Sequence, residues 1–253
     1  MTMATGIGCA LPARGLGYSP PVPLPRANPR HRLRLAPYST AFGRERADAR
    51  AVSATQLLGQ VLFLVAVALG FCALGTWLGR DFALGTARIC SFVGFGMLLV
   101  SSFAGQRLRV GPFAMAWLFA TATAIGLGLG PVIQYFATVQ ESALTQAAAG
   151  TAATVAGCGA LGFALSKDLA RWMRPLSLVV FAACVGTIVW TLAAGAVSPW
   201  VSALIYLLSA ALIVVDFNFL RKHATEDDAI WLAPGIFVSI VNIFLSLLNI
   251  LQT

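Results

Sequence analysis

Asp216 is the residue whose type and setting most call for a chemical role. It interrupts the apolar run Leu212-Ile213-Val214-Val215-Asp216-Phe217, whereas the other eight acidic residues lie in the amino-terminal tail, in loops or at segment ends. An ionisable group inside such a run is costly unless it faces a bundle interior or a water-filled path. Two roles fit it: a carboxylate on an ion path, or one half of a buried ion pair with Arg107 or Arg221. A pair that breaks would also serve as a gate. The last apolar segment carries Ser239, Asn242, Ser246 and Asn249, spaced so that all four share one helix face. That stripe either hydrogen-bonds neighbouring helices or lines a wet path. Thr225-Glu226-Asp227-Asp228 has the look of a metal loop, but it reads better as a helix start, with Thr225 capping and acids in the first turn. There is no HExxH, GxSxG, Walker or EF-hand pattern. The two histidines, His31 and His223, lie in the tail and a loop. Of the five cysteines, Cys72, Cys90, Cys158 and Cys184 sit in apolar stretches and Cys9 in the tail, with no CxxC pair. The expectation is a protein that is not an enzyme and has neither cofactor nor bound metal.

The elements that must position these residues follow from composition. Of 253 residues, 58% are hydrophobic and 10% charged, against roughly 25% charged in a soluble domain. Too little polar surface is left to face water. The apolar runs are continuous rather than alternating, which selects helices over strands. Seven segments are predicted, at residues 55–78, 85–105, 112–136, 143–165, 175–197, 200–220 and 230–251. Each is long enough to cross a ~30 Å hydrocarbon core. The fold class expected is therefore an all-α membrane protein, a seven-transmembrane-helix bundle formed by residues 51–253.

The net charge of +8 invites a nucleic-acid reading, which the placement of the charges rejects. Eight arginines fall within residues 1–50, and the rest of the Lys and Arg lie almost wholly in short loops. With the tail in the cytoplasm, 15 Lys and Arg are inside, including Arg107, Arg109, Lys167, Arg171, Arg174, Arg221 and Lys222, and only Arg80 and Arg88 are outside. That bias orients the bundle and puts the carboxyl terminus outside. Residues 1–50 are rich in Arg and Pro, hold no acid before Glu45 and contain no spanning run. They read as a disordered cytoplasmic tail or, alternatively, as an organellar targeting segment.

Small residues set the packing. Ala147-Ala148-Ala149-Gly150-Thr151-Ala152-Ala153-Thr154 with Gly157 and Gly159 in the fourth segment, and Gly126 with Gly130 in the third, predict close helix approach. The carboxyl-terminal region then resembles the Bax inhibitor family. The resemblance rests on Ile213 to Asn218, on Thr225-Glu226-Asp227, and on the run from Gly235 to Leu248. Upstream, Ala147 to Thr151 followed by Ser166-Lys167-Asp168-Leu169 is similar to the family's fourth helix and the turn after it.

The resemblance implies seven helices with the last one central. It also implies, for some members, a calcium leak governed by aspartates on helices six and seven and an arginine on helix two. Asp216 matches the first aspartate, and Arg107 or a neighbour lies near the arginine's place. Position 239, matching the second aspartate, is serine, so a proton-sharing carboxylate pair cannot form there. Members with serine here resemble the bacterial branch associated with the membrane protease FtsH. The expected function is thus a Bax-inhibitor-like protein of a bacterial inner or plasma membrane, or of an organellar membrane if the tail is a targeting segment. Calcium ions would pass Asp216, Ser239, Asn242 and Arg107; the alternative is a non-conducting regulator of a membrane protease.

Overall fold

The computed structural model describes residues 29–103, 111–194, 198–223 and 229–252, with side chains from residue 54 onward except 102–103, 188–189 and 191–194. Among these residues seven helices follow one another: α1 (Pro29–Gly79), α2 (Leu84–Phe103), α3 (Pro112–Val139), α4 (Glu141–Ala164), α5 (Ala170–Ala194), α6 (Pro199–Lys222) and α7 (Ala229–Leu251). No strand occurs among the described residues. The chain divides into two units, Met1–Ala47 and Asp48–Thr253, and every described side chain lies in the second.

Among the described residues, six helices are long and apolar enough to cross a membrane: Ala54–Gly79, Leu84–Ser101, Pro112–Val139, Glu141–Ala164, Pro199–Lys222 and Ala229–Leu251. The remaining helix, α5, has 25 residues. It begins five residues before the predicted segment and carries Pro175 within it. Where composition predicts an irregular tail up to residue 50, the backbone is already helical from Pro29. Proline suits a first helical position, and the Ala, Leu and Arg that follow are strong helix formers needing no core.

Local chemistry sets the helix ends. Gly111 takes φ 94, a left-handed value suited to glycine, and Pro112 opens α3 directly after it. The Gly111 carbonyl accepts from the Ala114 N–H at 3.1 Å. Pro199 opens α6 in the same way. Only Gln140 separates α3 from α4, and its N–H donates to the Phe136 carbonyl at 2.9 Å.

Hydrophobic burial does not drive helices together in lipid, so close packing must do so. α1 and α3 meet through a reciprocal pair of small-residue motifs. A methyl on Gly75 or Gly79 would strike the carbonyls of Thr123 or Leu127, and one on Gly126 or Gly130 would strike Cys72 or Gly79. Gly162 of α4 meets the Val214 carbonyl of α6 in the same manner. α6 packs on α4, α5 and α7, and α2 on α3. Ala233, Ile236, Phe237 and Ile243 of α7 are fully buried, in one cluster with Val61 and Ala68 of α1 and Ile213 of α6. Phe63, Leu84, Trp190 and Trp200 point outward, as side chains that face acyl chains do.

Candidate functional site: a polar seam between α6 and α7

Three polar residues of α6, Ser202, Ser209 and Asp216, stand seven residues apart and so lie on one face. α7 runs antiparallel beside that face. Two observations fix the register. The Asn249 amide nitrogen donates to the Ser202 hydroxyl at 2.7 Å. At the other end, a Cβ built on Gly235 would stand 3.7 Å from Oδ2 of Asp216. Both pairs lie on the same antiparallel register, which sets Ser209 level with Asn242 midway between them. Ser239 then lies one turn from Gly235, and Ser246 one turn from Asn242. A polar residue therefore occurs at about every turn along some 21 Å of the helix pair, at 1.5 Å per residue.

The inner part of this seam is buried and short of partners. Asp216 is 3% exposed, and Ser209 and Ser239 are fully buried. Among the described residues, Asp216 Oδ2, Ser209 Oγ, Ser239 Oγ and Asn242 Nδ2 are buried atoms without a hydrogen-bond partner. Buried polar groups are nearly always satisfied. Four unsatisfied ones fall here within about two turns of the helix pair. Carboxylate and hydroxyl oxygens are also the donors that hard cations take.

Below Asp216, the end of α6 clasps the α4–α5 connection. Asn218 is fully buried. Its amide donates to the carbonyls of Gly162 at 3.2 Å and Leu165 at 3.1 Å, and its oxygen accepts from the Leu169 N–H at 3.0 Å. Arg221 donates to the Leu165 carbonyl at 2.9 Å, and Lys222 donates to the Ser166 carbonyl. These donors satisfy carbonyls that the end of α4 leaves open. His223 pairs with Asp168 at 2.7 Å, and the Ala170 N–H donates to the same carboxylate at 2.9 Å. The Ala170 N–H and His223 hold the Asp168 carboxyl below the usual carboxylate range.

Of the residues singled out in the sequence, Asp216, Ser239 and Asn242 are brought to one seam, Ser246 is buried along it, and Asn249 closes its far end. Arg221 is not the partner of Asp216, because its guanidinium is turned to Leu165. Arg107 lies outside the described residues, as does Thr225-Glu226-Asp227-Asp228. Ser202, Ser209 and Asn218 were not singled out. The seven-residue spacing of the two serines from Asp216 was the signal that could have found them. Not all the small residues of α4 meet a helix: Ala148, Ala152 and Ala156 form an exposed row.

A bundle of long apolar helices enclosing a seam of unsatisfied polar groups defines a polytopic helical membrane protein. The family model described as inhibitor of apoptosis-promoting Bax1 matches residues 54–253. That match runs from the start of the first candidate span to the last residue, and the chain belongs to the Bax inhibitor family.

Proposed function

We propose that this Bax inhibitor family protein is a cation leak of the bacterial-type branch, passing calcium ions along the α6–α7 seam past Asp216. The observation that carries the reading is the buried Asp216 Oδ2, without a partner among the described residues and facing the gap left by Gly235. Ser239, Ser209 and Asn242 offer further unsatisfied groups along the same line. The reading includes seven spans with α7 central, and an amino-terminal tail in the cytoplasm with a carboxyl terminus outside, the orientation alone being supported by the Lys and Arg distribution. It includes no catalytic step.

Calcium entry into liposomes carrying the purified protein tests it. Wild type admits calcium above the rate of empty liposomes, and Asp216→Asn, nearly the same shape without the charge, loses that excess while its thermal unfolding in detergent stays cooperative. Equal flux in the two proteins would remove Asp216 from the path. A second reading, a non-conducting regulator that binds a membrane protease such as FtsH, is favoured by serine at position 239, where the conducting pattern has a second aspartate. Absence of flux together with co-purification of such a protease would decide for it.

A further inference from the structure

On the side of α7 away from the polar seam lies a cleft of about 770 Å³. Its floor is Ile240, Val241 and Phe244 of α7, and its walls come from α1, α3 and α4. The α4 wall includes Ala148, Ala152 and Ala156, the exposed row of small side chains described above, and Ala73 of α1 faces the same space. This volume lies within the ~300–1,000 Å³ typical of small-molecule sites, which are mostly apolar with a few polar groups at defined points. Here the polar groups gather toward the ends of α1 and α3. Trp77 of α1, Arg80 directly after α1 and Gln134 of α3 line the cleft. The Arg80 guanidinium lies 5.2 Å from the centre of the Trp77 ring, and an Arg beside a Trp at a span's end is an interfacial anchor. Asp81 takes only the Nε of Arg80, at 3.2 Å, and is itself largely exposed. The two terminal guanidinium nitrogens hold no partner among the described residues.

We infer that this cleft is a phospholipid site, with one acyl chain lying between α1 and α4 on the floor of α7 and the lipid phosphate held by Arg80. An open apolar cleft of this size leaves its lining without packing partners unless something apolar lies in it. At membrane depth the filler must be apolar. The cation at the cleft's polar end selects an amphiphile with an anionic head over a plain hydrocarbon, since guanidinium and phosphate match in charge and in fork geometry. Small residues on α4 leave width for a chain, where larger side chains would fill it. The cleft and the Asp216 seam lie on opposite sides of α7, so lipid binding does not require that the seam conduct.

The test uses the whole chain purified in mild detergent, with native mass spectrometry for retained lipid and thermal unfolding with added dioleoylphosphatidylglycerol, dioleoylphosphatidylcholine or inorganic phosphate. Wild type is expected to retain one phospholipid and to unfold at higher temperature with either lipid, but not with inorganic phosphate. Ala152→Phe, which fills the cleft from α4, loses the retained lipid, and Ala73→Phe does so from the opposite wall. Arg80→Ala weakens phosphatidylglycerol binding by about tenfold or more, the loss expected for hydrogen bonds to a charged group. Asp216→Asn leaves lipid retention unchanged. The inference is overturned if wild type keeps no lipid, if both filled variants keep it as well as wild type does, if inorganic phosphate alone reproduces the shift, or if a second copy of the chain is retained instead.

Discussion

Replacing Asn218 with leucine, close in volume but unable to hydrogen-bond, isolates what the clasp at the end of α6 contributes. Three hydrogen bonds disappear, at 3.0, 3.1 and 3.2 Å. The Leu165 carbonyl keeps Arg221, but the Gly162 carbonyl and the Leu169 N–H lose the Asn218 partner. Interhelical hydrogen bonds in a membrane protein average about 0.6 kcal/mol each, which sets a lower figure of about 2 kcal/mol for three. Bonds near 1 kcal/mol each, plus the penalty for buried groups left unsatisfied, bring the loss to about 4 kcal/mol. A chain of this size loses roughly 2–4 °C per kcal/mol, so the unfolding midpoint in detergent should fall by about 4–16 °C. Thr145→Ala, at an exposed position whose hydroxyl bonds only its own helix, is the control and should change stability by less than about 0.5 kcal/mol. A loss below about 1 kcal/mol for Asn218→Leu would refute the reasoning, because it would mean that water serves the α4 end as well as Asn218 does.

Gly126→Ala should destabilise by about 2 kcal/mol or more, since its methyl collides with the backbone carbonyl of Cys72 rather than with a movable side chain. Gly157→Ala, with nothing within 4 Å, should stabilise by up to about 1 kcal/mol through helix propensity; chemical denaturation of both variants reads the contrast. The Asp168 carboxyl is held below its ordinary value by the Ala170 N–H and by His223. Its stabilisation is therefore fully present above the ordinary carboxylate range, near pH 4, and is lost as pH falls through the lower folded value. Thermal midpoints measured from about pH 6 down to about pH 3 should accordingly fall less steeply at the acid end for Asp168→Asn than for wild type. Ser239→Asp sets a second carboxylate one turn, about 6 Å, from the level of Asp216. Two charges at that distance repel by about 3 kcal/mol at an effective dielectric of 20, so calcium flux in liposomes should depend on pH between about pH 5 and pH 8 in a manner different from wild type. An unchanged flux profile would separate the two positions. Finally, a periplasm-active reporter fused after Thr253 should be active, and a cytoplasm-active one silent, if the Lys and Arg bias sets the orientation.

The helix positions were legible because a spanning segment must satisfy its own backbone, leaving a continuous apolar run as the visible mark. The predicted segment 230–251 and the helix Ala229–Leu251 differ by one residue at one end. Residues 143–165 and Glu141–Ala164 differ by two and one. Larger discrepancies occur at α1, which is helical from Pro29, and at α5, which begins at Ala170 and carries Pro175 within the helix. Asp216 and the stripe of α7 were legible for the same reason: a polar group in an apolar run stands out whatever surrounds it.

What the sequence determined by itself is what depends on one helix at a time: membrane residence, the positions of the apolar helices, the face on which Ser239, Asn242, Ser246 and Asn249 lie, and family membership through motifs in order. What the tertiary structure decided is everything that depends on two. It set the antiparallel register that puts Asp216 level with Gly235 and Ser202 against Asn249. It turned Arg221 to the carbonyl of Leu165, and it left Ala148, Ala152 and Ala156 lining a cleft instead of a helix contact. The physical reason is that apolar helices of similar length can pair in many registers at nearly equal cost in lipid. The choice among them rests on a few carbonyl collisions and hydrogen bonds between residues tens of positions apart, and such pairings leave no local mark in the chain.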